Sequence, residues 1–283
     1  MLKITKNLLF KKLVKWKKYD IIEIMKMQQI LGKVRKACEL YDLIEENDKI
    51  AVGVSGGKDS LTLLTTLALM RRFYPKKYQV VAISIDLFGG VTDYSKIANY
   101  CNQLDVEFIV VPSDIKKIVF DIRKEQNPCS LCANLRRGIL NNTAKQLGCN
   151  KVALGHHSDD LVETLLLSMF YESRFNTFLP KTHLTNQDLI VIRPLILLDE
   201  KDIVNISKDM PILKNNCPAD HHTQRQYIKN LILNLNKDIF QVKQHILSAI
   251  MHPERTNLFP NISKKLDKNS KITNDTKYQK KWV

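Results

Sequence analysis

Residues 49–60 read KIAVGVSGGKDS. The first six are a short apolar run bounded by turn residues, the pattern of a strand buried on both faces. The next six, Ser55-Gly56-Gly57-Lys58-Asp59-Ser60, open a helical pattern with Leu61, Leu64, Leu67 and Ala68 on one face to about residue 72. A strand that runs through glycines into a helix N-terminus is a phosphate cradle. Glycine lets backbone N–H groups approach an anion, the helix end adds positive potential, and the Ser55 and Ser60 hydroxyls add donors. The chain holds only nine glycines, and three of them, Gly53, Gly56 and Gly57, fall within five residues here. The spacing is neither G-x-x-x-x-G-K-[ST] nor G-x-G-x-x-G, so the loop is not a Walker A or dinucleotide fingerprint.

Outward from this stretch, strands and helices alternate. Apolar runs at 78–85, 106–111, 151–155 and 189–193 read as further strands. Helices are expected near 22–44, 132–147 and 158–171, the last capped by Ser158 with Asp159 and Asp160 in its first turn. Alternation of this kind predicts an α/β fold with a doubly wound parallel sheet. The expected domains are a basic N-terminal helical segment (1–46), the phosphate-loop domain (47–212), a C-terminal helical extension (213–262) and a flexible basic tail (263–283).

Composition bounds the function. Of 283 residues, 44% are hydrophobic and 26% charged, which is globular and not disordered. No apolar run approaches the roughly 18 residues of a transmembrane helix, so a cytosolic protein with no membrane partner is expected. The net charge of +15 is concentrated at the ends. Residues 1–20 carry +6 and residues 263–283 carry +5, which leaves +4 for the body. Such ends suit a polyanion, although a solvated lysine-rich surface gives the same pattern.

Six cysteines in a reducing compartment are expected to be buried, metal-bound or catalytic thiols, not disulfides. Cys38 and Cys101 sit in helical patterns and Cys149 just before a strand, where a thiol behaves as a small hydrophobe. Cys129 and Cys132 form a C-x-x-C ahead of Arg136 and Arg137, and Cys217 lies in a polar setting, Asn215-Asn216-Cys217-Pro218. Alone, a C-x-x-C is open among zinc, iron–sulfur and redox roles.

The SGGKDS loop after a hydrophobic strand resembles the PP-loop of the ATP pyrophosphatases, which cleave ATP between its α- and β-phosphates. The resemblance implies an adenine nucleotide alpha hydrolase-like domain that binds Mg²⁺ and ATP and releases pyrophosphate. By it, Ser55, Gly56, Gly57, Lys58, Asp59 and Ser60 hold the phosphates, Asp59 contacts Mg²⁺, and adenine lies near Ser84, Ile85 and Asp86. The whole pattern, with CSLCANLRRG at 129–138, GHHSDDLVETLLLSMFY at 155–171, IRPL at 192–195 and Cys217 through Arg225, resembles the tRNA 2-thiocytidine synthetases. It covers residues 30–260 and departs near Cys217, where Ala219-Asp220-His221-His222 stand in place of a further cysteine.

That likeness implies a [4Fe-4S] cluster on Cys129, Cys132 and Cys217, with one iron left for sulfide. It also implies ATP contact by Gly155, roles for Arg136 and Asp160 in the chemistry, tRNA as substrate and a cysteine-desulfurase-type sulfur donor. A homodimer is compatible with it. Two other readings stay open: a tRNA lysidine synthetase-like ligase, which needs no cysteines, and a zinc-stabilised tRNA-binding protein with His221 or His222 as fourth ligand.

Overall fold

A computed structural model describes residues 21–124, 128–213 and 224–255, with side chains from residue 25. In chain order the elements are α1 (Ile21–Leu40), β1 (Asp48–Gly53), α2 (Lys58–Met70), β2 (Tyr78–Asp86), α3 (Ser95–Gln103), β3 (Glu107–Pro112) and a π-helical turn (Lys117–Ile122). They continue with α4 (Pro128–Gln146), β4 (Lys151–Ala153), α5 (Ser158–Glu172), β5 (Lys181–Leu184), β6 (Leu189–Ile192), α6 (Glu200–Ile206), α7 (Gln224–Asp238), α8 (Val242–Met251) and a 3₁₀ turn (Pro253–Arg255). Among the described residues no helix is long and apolar enough to cross a membrane.

By their contacts the residues form two compact units. The first, which among the described residues runs through Asp159 and again from Leu179 to Leu213, contains a six-stranded sheet in the order β3-β2-β1-β4-β6-β5. Strands β3, β2, β1, β4 and β6 run parallel, as the alternation predicts. The edge strand β5 is antiparallel to β6, so the sheet is not wholly parallel as expected. Its sequence, KTHL, is mostly polar, and an edge strand with one covered face needs no apolar run.

Side chains alternate across the sheet with period two. Ile50, Val52, Val80 and Ala82 face a core closed by α1, α2, α3 and α6, with Val34, Leu64, Ile97 and Ile203 fully buried. Ala51, Val81, Ile83 and Val152 face the opposite core, covered by Leu140 and Ala144 of α4 and by Val119 of the π-helical turn. Burying a leucine of this kind stabilises by about 1.5–3 kcal/mol. At the N-terminal end of the strands the wholly buried Lys151 pairs with Asp48 at 2.8 Å and donates to the Leu43 carbonyl. That end is therefore sealed and structural.

Among the described residues, the second unit joins residues 160–178 to residues 224–255. Val162 and Leu166 of α5 pack with Ile228 and Ile232 of α7 and Val242 of α8. The expected C-terminal helical extension contains two helices, and Gln241, in a left-handed conformation (φ 56°), separates them.

Candidate functional site

The strand order reverses between β1 and β4, and a ligand crevice forms outside the carboxyl ends of strands at such a point. The loop after β1 carries Ser55–Gly57, and the loop after β4 carries Gly155–His157. Both expected ATP-binding segments thus flank the switch point.

The phosphate loop is held from within. Ser60 Oγ donates to the Gly57 carbonyl at 2.9 Å and accepts from the Ser55 amide at 3.2 Å, with the two serine hydroxyls 3.2 Å apart. Gly57 is the N-cap of α2 and has no side chain to offer its first-turn amides. Gly56 sits at φ 82°, where a side chain is disfavoured. Gly155 is required for a different reason. A Cβ there would lie 3.0 Å from the Asp59 carbonyl carbon and oxygen and 3.2 Å from the Ser60 nitrogen, all backbone. The β4 loop and the start of α2 are packed main chain against main chain.

Charged groups gather beside the loop. Lys58 Nζ contacts both Asp59 carboxylate oxygens at 3.0 and 3.1 Å and Glu200 Oε1 at 3.1 Å. Partial burial opposes the ammonium charge, but these two carboxylates outweigh it and raise the lysine pKa. His157, nearly buried, stands 3.7 Å from Asp59 and 3.6 Å from Asp159. Asp159 accepts the Glu200 amide at 2.8 Å, while Ser158 donates to Asp199 at 2.9 Å, so the starts of α5 and α6 brace one another. Sequence reasoning does not single out Glu200. Its only signal is position, in an Asp199-Glu200 pair after the apolar ILL run.

At the end of β2, Ser84 is fully buried and donates to the Val54 carbonyl at 2.6 Å, and Ile85 lies in the second core. Asp86, also buried, accepts from the Gly90 amide (2.6 Å), the Phe88 amide (3.3 Å) and Thr92 Oγ1 (2.5 Å). Burial alone would raise its pKa; these donors outweigh burial and hold it below the usual carboxylate value. Asp86 therefore builds the 87–92 loop at the rim of the crevice.

Cys129 and Cys132 lie one turn apart at the start of α4, the former exposed and the latter half-buried. Positions 129, 132 and 136 are three and four apart, so Arg136 continues the stripe of the two thiols on one helix face. Arg136 also acts electrostatically on Tyr94, whose phenol is pushed up by burial and by Asp86 and drawn back by Arg136. Arg137 faces elsewhere: Arg193, pulled down to about 10 by burial, is further depressed by Arg137. Asp160 belongs to the second unit, where it lies 3.5 Å from Arg225.

Thiol placement separates the cysteines by chemistry. Cys38 and Cys101 are fully buried, and burial pushes each up to about 12; Cys149 is buried and also raised. Two accessible thiols one turn apart fit two corners of an iron–sulfur or zinc centre, and the three buried ones do not. Cys217, His221 and His222 lie outside the described residues. Among the described residues no group of three or more His, Cys, Asp or Glu side chains is placed to hold a metal.

Comparison with known proteins gives the family. A family model described as the PP-loop domain matches residues 23–236. The tRNA-cytidine(32) 2-sulfurtransferase of Geobacter sulfurreducens is 37% identical over 238 residues, covering 82% of this chain and 92% of the relative. The enzyme of that name from Vibrio cholerae is 35% identical over 273 residues, covering 93% and 86%. Among solved structures, the U34-tRNA thiolase from Methanococcus maripaludis with its [4Fe-4S] cluster shares the fold, with a TM-score of 0.66 at 22% identity over 83% of this chain and 80% of that one. With a phosphate loop at the switch point of its sheet and relatives of this similarity, the chain belongs to the PP-loop ATP pyrophosphatase family, in the branch of the tRNA-cytidine(32) 2-sulfurtransferases.

Proposed function

We propose that the protein binds ATP on the Ser55–Ser60 loop, transfers AMP to the C2 oxygen of cytidine 32 in a tRNA anticodon loop, and replaces that oxygen with sulfur to give 2-thiocytidine. The observation that carries this reading is the α4 stripe. Two accessible thiols and an arginine share one face of a helix in the same unit as the phosphate loop.

The chemistry follows from the base. The carbonyl oxygen at C2 is a poor leaving group, so its attack on the α-phosphate of ATP converts it to an adenylate and releases pyrophosphate. A sulfur nucleophile then adds at C2, and the C–O bond breaks with the electron pair leaving on AMP. An anticodon loop suits such an enzyme, because its bases can be splayed out of the stack. Ser55, Gly57 and Ser60 supply donors for the phosphates, and Lys58 supplies charge. Asp59, beside Lys58 and partly exposed, is the carboxylate available to Mg²⁺. Arg136 is the cation on the thiol stripe, placed for the charge that develops on the departing oxygen.

A [4Fe-4S] cluster fits Cys129 and Cys132, with Cys217 as the third thiolate, and when bound it supplies an iron position able to deliver sulfide. The sulfur that enters the base comes from a cysteine-desulfurase-type donor.

The test is made in a strain lacking the gene. Complementation with the intact protein should restore 2-thiocytidine in hydrolysed tRNA, read by mass spectrometry, and Cys129→Ser or Cys132→Ser should not. The two variants should still bind ATP but lose iron and acid-labile sulfide after anaerobic purification. Lysidine in the tRNA, or thiolation that survives both variants, would overturn the reading; zinc without iron would overturn the cluster.

A further inference from the structure

We infer that Leu213 is a positioning residue for the nucleotide phosphates: its main-chain N–H fixes the direction of the Gly56–Gly57 peptide. This rests on the reading of residues 55–60 as the ATP phosphate site.

A Gly-Gly peptide has little of its own to hold it. Both residues tolerate positive and negative φ, so the plane between them can turn over at small cost. Its two faces have opposite consequences for an anion. In a trans peptide the carbonyl of one residue and the N–H of the next point in opposite directions. One orientation therefore offers phosphate a donor, and the other offers it a carbonyl oxygen, which repels it.

Leu213 selects the first. Its N–H donates to the Gly56 carbonyl at 3.0 Å. With that carbonyl engaged, the Gly57 N–H is turned the other way, toward the interior of the loop, where Ser55 Oγ accepts it at 3.3 Å. Gly56 takes φ 82° in this arrangement. The Leu213 side chain seats against the same glycine: a Cβ on Gly56 would lie 2.9 Å from Leu213 Cδ1 and 3.0 Å from its Cβ and Cγ. Gly56 is thus demanded twice, by its dihedral and by the leucine that covers it.

The support beneath Leu213 is firm. Ile203 of α6 is fully buried, the Met210 amide donates to Ser207, and the Ile212 amide donates to Met210 at 2.8 Å. Met210 is buried in the core and its sulfur lies 3.9 Å from Thr62 Oγ1 of α2. The donor is therefore carried to the loop by the helix and turn after β6, not by neighbours in sequence.

The experiment removes the N–H by two routes. Leu213→Pro deletes it, and replacement of Leu213 by its α-hydroxy acid, which converts the amide to an ester, deletes it with the side chain retained. Leu213→Met keeps both donor and bulk. Calorimetry measures affinity for ATP, pyrophosphate and adenosine, and steady-state thiolation gives KM and kcat. Both donor-less forms should bind ATP and pyrophosphate about fivefold to tenfold more weakly and adenosine unchanged, the loss of one hydrogen bond. KM for ATP should rise by a similar factor with kcat held, and Leu213→Met should match the unaltered protein. Unchanged ATP affinity in the ester form, or equal loss for ATP and adenosine, would overturn the inference. An unaltered protein that binds no ATP would instead overturn the phosphate-loop reading, and the inference with it.

Discussion

At the scale of residues, the five described cysteines show how much a local pattern can say. Cys38 and Cys101 lie within helical apolar spacing and are indeed core thiols, while Cys129 and Cys132 stand at an accessible helix start. This sorting is legible in sequence because burial follows periodicity. In chelator-treated protein, iodoacetamide at mildly alkaline pH should therefore label Cys129 and Cys132 well before Cys38, Cys101 and Cys149, as peptide mass spectrometry will show. The same thiols set an alkaline limit. Cys38 and Cys101 titrate near 12 when folded, against 9.0 when unfolded. Their contribution is complete below pH 9 and is lost as pH rises from 9 toward 12, because only the unfolded chain releases those protons. Urea midpoints should fall across that window, and Cys38→Ala with Cys101→Ala should flatten the fall. Gly155 makes the opposite point. Nothing in GHHSDD announces a main-chain contact with Asp59, since the two are nearly one hundred residues apart. Gly155→Ala must push the β4 loop off α2, costing about 1–3 kcal/mol by overpacking. ATP affinity should fall with it, measured beside the urea midpoint.

At the scale of elements, the α5–α7 pair is joined by more than its apolar seam. Arg225 donates to Glu163 at 2.9 Å and to Thr164 at 3.2 Å, with Asp160 3.5 Å away. Glu163 is only 6% exposed, and burial raises its pKa despite the opposing guanidinium. Arg225→Met would leave that carboxylate buried and without its guanidinium partner, destabilising the second unit by about 1–3 kcal/mol. Adding Glu163→Gln should recover part of the loss in a urea double-mutant cycle, and strict additivity would refute the coupling. A helical extension after the phosphate-loop domain is legible in the sequence, but the break at Gln241 is not. Neither Gly nor Pro marks it, and Gln241 is forced left-handed where the chain turns into α8. Strand β5 escapes a reading of the sequence for a related reason: an edge strand is specified by its partner β6 rather than by its own composition.

At the scale of the whole molecule, the order of strands and helices is readable because parallel strands buried on both faces must be apolar along their length. The site is readable in halves. Its phosphate loop is contiguous, so the glycine cluster exposes it, whereas Glu200 and Leu213 reach it through the fold, with no motif to mark them. Charge is the third global property. Net +6 and +5 at residues 1–20 and 263–283 dominate a total of +15. If these lysines meet tRNA phosphates, each contact releases counterions and steepens the fall of log affinity with log salt by about 0.7–0.9. Deleting 263–283, with its seven lysines, should therefore make the slope shallower by about two units or more, measured by filter binding across a salt series. Replacing those lysines by glutamine in the full-length chain should do the same, which separates charge from chain length. A slope that both changes leave intact would mean the tail lysines are solvated, and the phosphates would then be met by the body of the protein alone.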